Sequence, residues 1–230
     1  MEKGVCKVPV AAVRVAASHQ SEMISQILYG ETAQVYERSG AFVRIVMDFD
    51  GFEGWVDRQQ LGLVSERHDS RLLTEVFSYT DTPDGKMLLS AGSEVAAGDK
   101  VTRFQSDFTE TASHFLHVPF LWGGRCFFGV DSSGFTQLIY KLHGHTLPRE
   151  ANQQADKGIV LDFIEEAEAG DLAFFEDSDG HISHVGMMLE EQRIIHAYGK
   201  VRIDHLDSSG IYNAELRRHT HQLRFVKRMR

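Results

Sequence analysis

The sequence predicts an α+β protein in which a small all-β barrel precedes a larger unit that begins with a helix. From about residue 5 to 63, short apolar alternations are separated by turn signals, a pattern typical of a small antiparallel barrel. The turn signals are Gly30, Ser39-Gly40 and Asp50-Gly51. From residue 106 the period changes to that of a helix, with one apolar face made of Phe108, Ala112, Phe115 and Leu116.

Residues 1–64 are therefore predicted to form the barrel and residues 106–230 the second domain. Between them, residues 65–105 contain two apolar runs around a turn at Thr82–Gly85. This segment is expected to be either an ordered connector or a partial second barrel. In the first barrel, Gly54-Trp55 follows a predicted hairpin turn and should pack an aromatic ring against the sheet.

Composition limits the classes of function. Of the 230 residues, 42% are hydrophobic, enough for a substantial core, and 24 Lys and Arg against 33 Asp and Glu give a net charge of −9. An acidic balance argues against general nucleic-acid binding. No apolar run is long enough to span a bilayer, and Met1–Val8 lacks a secretory pattern. We expect a cytoplasmic protein if the chain is full length, and a periplasmic or exported one if a leader was removed.

The segment from Pro119 to Leu142 carries the strongest chemical signal. Glycine-rich turns precede a predicted helix that Gly144 would end. Asp131, Ser132 and Ser133 then stand at the helix N-terminus, where amide groups and the helix dipole stabilise negative charge. A cysteine at this place would have a lowered pKa and act as a nucleophile.

This segment resembles the NlpC/P60 family of papain-like cell-wall peptidases. In order along the chain, the matching elements are Trp122-Gly123-Gly124, Asp131-Ser132-Ser133-Gly134, Gly170–Phe175, His184-Val185-Gly186 and Ile195-His196-Ala197. The barrel is similar to a bacterial SH3 domain, in which a Gly-Trp-Val element is common. The resemblance implies a papain-like NlpC/P60 domain preceded by an SH3-like module.

Two histidines are predicted to lie side by side. Residues 183–189 and 193–198 have the pattern of a β-hairpin, so one strand can present His184 beside His196 on the next. The resemblance implies that His184 is the general base and that His196 orients it. It also implies that Ser132 occupies the nucleophile position, where the family has cysteine.

Three positions depart from the family pattern. A serine hydroxyl is far less acidic than a thiol, so Ser132 cannot rest as an anion beside His184. Phe120 replaces a tyrosine that usually precedes the Trp-Gly-Gly turn, and Ala151 replaces a serine that can contact substrate. Two interpretations stay open: an engineered Cys to Ser trap, or a natural protein that has lost peptidase activity. We expect the chain as written to be inactive or strongly impaired.

The resemblance also implies a ligand. SH3-bearing relatives commonly cleave after γ-D-glutamate in peptidoglycan peptides and release L-Ala-γ-D-Glu from fragments with a free N-terminus. Such a peptide needs an acid for its ammonium group. Asp131 is the predicted acid, Glu53 a second candidate, and Ser133 and Trp122 are expected to line the same subsite. No cofactor, metal or nucleic acid is expected.

Other functions remain alternatives. A non-catalytic protein could use Ser132, His184 and His196 to hold a wall peptide. A serine acyl hydrolase is weakened because Ser132 lacks a Gly-x-Ser-x-Gly elbow. A metal hydrolase is suggested by three histidine pairs, none of which has the helical His-Glu-x-x-His arrangement. These pairs are His114 and His117, His143 and His145, and His219 and His221.

Overall fold

The structure is a computed structural model, which describes residues 2–64, 70–96 and 107–229. Within these residues it has twenty strands, three α-helices, and two single-turn 3-10 helices at Arg58–Gln60 and Ile164–Glu166. The first seven strands form one antiparallel sheet in the order β3-β2-β6-β5-β4-β1-β7. These strands are β1 (Glu2–Cys6), β2 (Val10–Arg14), β3 (Met23–Leu28), β4 (Thr32–Ser39), β5 (Phe42–Met47), β6 (Glu53–Asp57) and β7 (Leu61–Val64).

The first sheet follows the predicted alternation. Its inward residues, among them Val13, Ile27 and Ile45, form one buried cluster. Gly51, at a φ of 74°, makes the turn between β5 and β6. At Gly54 a Cβ would lie 2.5 Å from a methyl of Val13, so only glycine permits β6 to approach β2 this closely. This confirms a small all-β unit at the start of the chain.

The middle segment contains two hairpin-like pairs. Strands β9 (Phe77–Thr82) and β10 (Gly85–Ser90) flank the predicted turn, and β8 (Ser70–Leu72) pairs with β11 (Glu94–Ala96). The amide of Glu94 donates to the carbonyl of Tyr29, which attaches this segment to the first sheet. Residues 65–69 and 97–106, which include part of the predicted connector and Ser106, lie outside the described residues.

The second domain packs helices against a closed sheet. Strands β15 to β20 pair in sequence and β20 also pairs with β15, which closes a six-stranded barrel with β14 at its margin. The helices are α1 (Phe108–Ser113), α2 (Ser132–Leu142) and α3 (Ala151–Ala155). The strands are β12 (Arg125–Cys126), β13 (Gly129–Val130), β14 (Ile159–Val160), β15 (Leu172–Glu176), β16 (Ile182–Met188), β17 (Arg193–Tyr198), β18 (Lys200–Asp207), β19 (Gly210–Asn213) and β20 (Arg218–Arg228). The predicted α+β class is confirmed.

Helix α2 is the centre of this domain. Phe135, Leu138 and Ile139 are fully buried and pack in the main apolar cluster with residues of β15 to β17. The helix ends where predicted, with Gly144 just beyond it at a φ of 81°. Helix α1 is shorter than the predicted apolar face. It ends at Ser113, and Phe115 lies in the turn that follows, where its side chain is buried. None of the helices within the described residues is long and apolar enough to cross a membrane.

Candidate active site

A cavity of about 470 Å³ lies beside the N-terminus of α2. Its wall includes Ile24 of the first barrel together with residues of the second domain, so both units border it. Most of the predicted site residues line it: Phe120, Trp122, Asp131, Ser132, Ser133, Ala151 and His184. His196 lies behind His184 and is fully buried. The sequence pattern and the structure thus select the same region of the molecule.

Glu53 does not line this cavity. It lies on β6, where its carboxylate pairs with the guanidinium of Arg44 and remains about half exposed. Besides Asp131, the acidic residue that lines the cavity is Glu150, directly before α3. Burial raises the pKa of Glu150; Arg149 opposes this, and the negative charges of Asp131 and Glu22 reinforce it. This end of the cavity is therefore suited to a positively charged group.

Ser132 is the first residue of α2, and Asp131 is its N-cap. One oxygen of Asp131 accepts the amide of Gly134 at 2.7 Å, and the other accepts the amide of Gly123 at 2.8 Å. Gly123 has a φ of 75°, and a Cβ there would lie 2.5 Å from the carbonyl oxygen of Met23 on β3. The glycine turn and the helix start are therefore fixed to each other and to the first barrel.

Arg149 completes this arrangement, although no local pattern apart from its position after a proline distinguishes it in the sequence. Its guanidinium pairs with both oxygens of Asp131, at 3.0 and 2.5 Å, and donates to the hydroxyl of Ser133 at 2.9 Å. Its Nε donates to the hydroxyl of Ser25 on β3 at 3.0 Å. Arg149 is 2% exposed, so the pair is desolvated and holds the helix start rigidly.

The oxygens of Asp131 are already occupied by protein donors. They accept two backbone amides and a bidentate guanidinium, and the hydroxyl of Ser133 lies 3.3 Å from one of them. An ionised carboxylate offers about four acceptor directions, so little capacity is left for a ligand. Asp131 thus has a structural role at the cavity wall, and Glu150 has the freer carboxylate.

Three polar side chains form a row that begins at His184, which lines the same cavity as Ser132. Nε2 of His184 lies 2.9 Å from Nδ1 of His196, and Nε2 of His196 lies 3.1 Å from a carboxylate oxygen of Asp204. Asp204 lies on β18 and is held by Arg202 through two hydrogen bonds of 2.7 and 3.0 Å. The sequence predicted the first contact. It did not single out Asp204, which in β18 looks like one charge in an alternating strand.

The row fixes the tautomers of both imidazoles. Burial raises the pKa of Asp204, but hydrogen bonds from His196 and Arg202 outweigh this and leave it below its ordinary value. Burial also lowers the pKa of His196, and it lowers that of His184 still more, together with the charges of His221 and His196. With an ionised Asp204 and neutral rings, His196 donates from Nε2 and accepts at Nδ1 from Nε2 of His184. Nδ1 of His184 then carries a lone pair.

The two cysteines do not provide an alternative nucleophile. Cys6 and Cys126 are both free and buried. Burial raises the pKa of Cys6 to about 12 and also raises the pKa of Cys126. Neither lines the cavity. Ser132 is therefore the hydroxyl-bearing residue at the start of the helix where the sequence pattern expects a thiol.

Two family models match the chain. The model described as the NlpC/P60 family matches residues 117–220, and the one described as the bacterial dipeptidyl-peptidase SH3 domain matches residues 13–61. The first match contains α2, His184 and His196, and the second lies within the first sheet. The two matches therefore coincide with the two units that border the cavity.

Curated relatives span both units. A γ-D-glutamyl-L-lysine dipeptidyl-peptidase of Bacillus cereus is 27% identical over 78% of this chain and 68% of its own length. The protein of the same name from Bacillus subtilis is 29% identical over 75% of this chain and 71% of its own length. The similarity thus extends beyond the NlpC/P60 domain to most of each chain.

Solved structures share the fold of nearly the whole chain. A crystal structure of an NlpC/P60 family protein from Bacillus cereus superposes with a TM-score of 0.71 at 22% identity, covering 99% of both chains. An NlpC/P60 endopeptidase from Photobacterium damselae gives the same TM-score at 15% identity, over 97% of this chain and 70% of the other. At these identities the likeness concerns the fold.

Proposed function

Because this chain carries an NlpC/P60 domain behind a bacterial SH3 domain of the dipeptidyl-peptidase type, we propose that it acts on peptidoglycan peptides with a free L-Ala-γ-D-Glu N-terminus. The observation that carries the proposal is the intact row from His184 through His196 to Asp204, beside a cavity that both domains border. The names of the Bacillus relatives support the choice of substrate.

The row supports a general base at His184. Nδ1 of His184 would take the proton from the hydroxyl of Ser132 as its oxygen attacks the carbonyl carbon of the γ-D-glutamyl bond. The resulting imidazolium is stabilised through His196 by the carboxylate of Asp204 and later returns the proton to the leaving amine. Water then hydrolyses the acyl-enzyme. Since an alcohol is much less acidic than a thiol, acylation at Ser132 is expected to be slow.

Glu150 supports recognition of the peptide N-terminus. Glu150 lines the cavity, where burial raises its pKa, Arg149 opposes this, and the negative charges of Asp131 and Glu22 add to the rise. A bound ammonium group would offset this concentration of negative charge. We therefore assign Glu150, rather than Glu53, as the partner of the ligand's amino group.

The test compares the chain with its Ser132→Cys variant on L-Ala-γ-D-Glu-L-Lys and on the meso-diaminopimelate equivalent. Release of the dipeptide is followed by mass spectrometry. The thiol variant is expected to cleave on the order of a hundredfold faster or more. Ser183→Cys is the matched control, because Ser183 is an exposed serine of the same cavity beside His184, and a thiol there should not restore cleavage.

A second candidate is a non-catalytic muropeptide-binding protein, favoured by the serine at position 132. Calorimetry of the uncleaved tripeptide separates the two. Binding that Glu150→Gln weakens, with no cleavage by Ser132→Cys, would favour the binding protein. If folded Ser132→Cys neither cleaves nor binds either tripeptide, both candidates fail.

A further inference from the structure

Three histidines converge at the inner wall of the cavity, and the peptidase mechanism uses only two of them. The third is His221 on β20, whose ring stacks on that of His184 with centroids 4.0 Å apart. One nitrogen from each of His184, His196 and His221 lies within 4.8 Å of the other two. The three residues come from β16, β17 and β20, so the six-stranded barrel of the second domain brings them together.

Two of these rings have a hydrogen-bond partner on one nitrogen, which leaves the other nitrogen as a candidate ligand. Nε2 of His196 lies 3.1 Å from Asp204, and Nδ1 of His221 lies 2.9 Å from the hydroxyl of Thr220. Histidines that bind a metal usually donate their other N–H to a carboxylate, a carbonyl or water. His196 with Asp204 has this arrangement, and Nδ1 of His196 and Nε2 of His221 remain as candidate ligand atoms.

The spacing suits a small tetrahedral ion. With metal–nitrogen bonds of about 2.0 to 2.1 Å, two ligand nitrogens of such an ion lie about 3.3 Å apart. The pair from His184 and His196, at 2.9 Å, needs to open by a few tenths of an ångström. His221, within 4.8 Å of both, needs only to move closer.

We propose that His184, His196 and His221 form a binding site for one divalent transition-metal ion of zinc type. Three imidazole nitrogens are a ligand set that suits zinc, and the cavity leaves a fourth position for water. The carboxylate of Asp204, behind His196, supplies negative charge that is partly balanced by Arg202. This goes beyond the proposed peptidase function, which requires no metal.

Metal binding and base catalysis exclude each other at His184. As a base, the ring carries its proton on Nε2 and offers Nδ1 to Ser132. With a metal ion on Nε2, the proton of the neutral ring moves to Nδ1, and no lone pair remains for Ser132. The ion would therefore switch off the nucleophile without releasing a net proton.

The experiment titrates the full chain with Zn²⁺ in competition with a chromogenic chelator. We expect one ion per chain. His221→Ala should weaken the affinity for Zn²⁺ by about tenfold to a hundredfold. His219→Ala is the matched control, since His219 lies two residues away on β20 and pairs with Asp207 at 2.9 Å. Asp179→Asn controls for the exposed group of Asp177, Asp179 and His181. Neither control should change the affinity.

The proposal is overturned if no ion binds, if His221→Ala binds as tightly as the unaltered chain, or if Asp179→Asn abolishes binding. Should His221→Ala not fold, zinc X-ray absorption on the unaltered chain decides: three imidazole ligands support the site, and one or none overturns it. Because metal binding is measured without any peptide, its failure leaves the peptidase proposal intact, and failed cleavage leaves the metal site intact.

Discussion

Two buried charge clusters lie at the contact between the first barrel and the second domain, and they differ in what surrounds them. In the joint cluster, the carboxylate of Glu31 accepts from Arg125 at 2.8 and 3.0 Å and from Lys141 at 2.6 Å, away from the cavity. In the site cluster, Asp131 pairs with Arg149 at the cavity wall. The first therefore joins domains, whereas the second also shapes a helix start that faces a ligand.

The difference lies in how the charges are satisfied. Glu31 comes from the barrel and both of its cations from the second domain, so the cluster forms only when the domains are in contact. Asp131 and Arg149 belong to one domain, and the barrel contributes only the hydroxyl of Ser25. Loss of the joint cluster should therefore lower mainly the stability of the fold. Loss of the site cluster should lower both the stability and the affinity for the ligand.

The largest expected effect is that of Glu31→Ala. The substitution removes the carboxylate that the buried Arg125 and Lys141 share and leaves Lys141 only the carboxylate of Glu94 at 3.8 Å, which costs about 3 to 5 kcal/mol in the free energy of unfolding. Chemical denaturation measures it. Glu37→Ala on the adjoining strand is the control, because its pair with Arg44 is exposed and contributes at most about 1 kcal/mol. Equal losses in the two variants would contradict the role of the joint cluster.

Acidification should remove the same contribution reversibly. Burial raises the pKa of Glu31, but Arg125 and Lys141 outweigh this and lower it from 4.5 to about 2. Between these values the unfolded chain binds a proton that the folded chain does not, so stability falls as the pH falls. The contribution is fully present above pH 4.5 and is lost toward pH 2, on the order of 3 kcal/mol in all. The stability difference between the unaltered chain and Glu31→Ala, measured by denaturation across this window, should shrink; a constant difference would contradict the prediction.

Asp131→Asn should have a smaller effect on stability, about 1 to 3 kcal/mol, because asparagine keeps one capping oxygen but leaves Arg149 without its charge partner. It should also weaken binding of the tripeptide, since the helix start at the cavity loosens. Asp107→Asn is the control: Asp107 caps α1 through the amide of Glu110 at 2.8 Å, and among the described residues no buried cation pairs with it. A loss of stability with unchanged ligand affinity would remove the distinction between the two clusters.

Local sequence patterns predicted the parts of the fold whose signals are close together in the chain. Alternation and turn residues predicted the first sheet, and a capped apolar stripe predicted α2. The hairpin that joins His184 to His196 was also predicted, and its turn contains Glu191 and Gln192 at positive φ. In each case the periodicity of apolar residues within one segment and the turn or cap residues beside it were enough to predict the element.

The rest depends on contacts between distant segments. Arg125 meets Glu31 from 94 residues away, and Arg149 reaches Ser25 across 124. Neither arginine has a local pattern that distinguishes it from a solvent-exposed charge. His221 and Asp204 reach the site only because β20 and β18 belong to the closed barrel of the second domain. A register shift in β20 beside His221 changes which residues face inward. Such pairings require the tertiary structure.

The smallest expected effect tests the exposed edge of the cavity, where neither cluster reaches. Indole Nε1 of Trp122 donates to the carboxylate of Glu22 at 2.7 Å, a contact between the second domain and the barrel. Glu22→Gln keeps an acceptor oxygen, so the loss of stability should stay within about 1 kcal/mol. Removing this charge should lower the pKa of Glu150 and weaken binding of the tripeptide's ammonium group a few fold, which calorimetry at constant pH measures. The control is Gln20→Glu, which adds charge on the same loop. If Glu22→Gln binds the tripeptide as well as the unaltered chain, negative charge from the barrel has no part in ligand recognition, and the barrel acts at this site through packing alone.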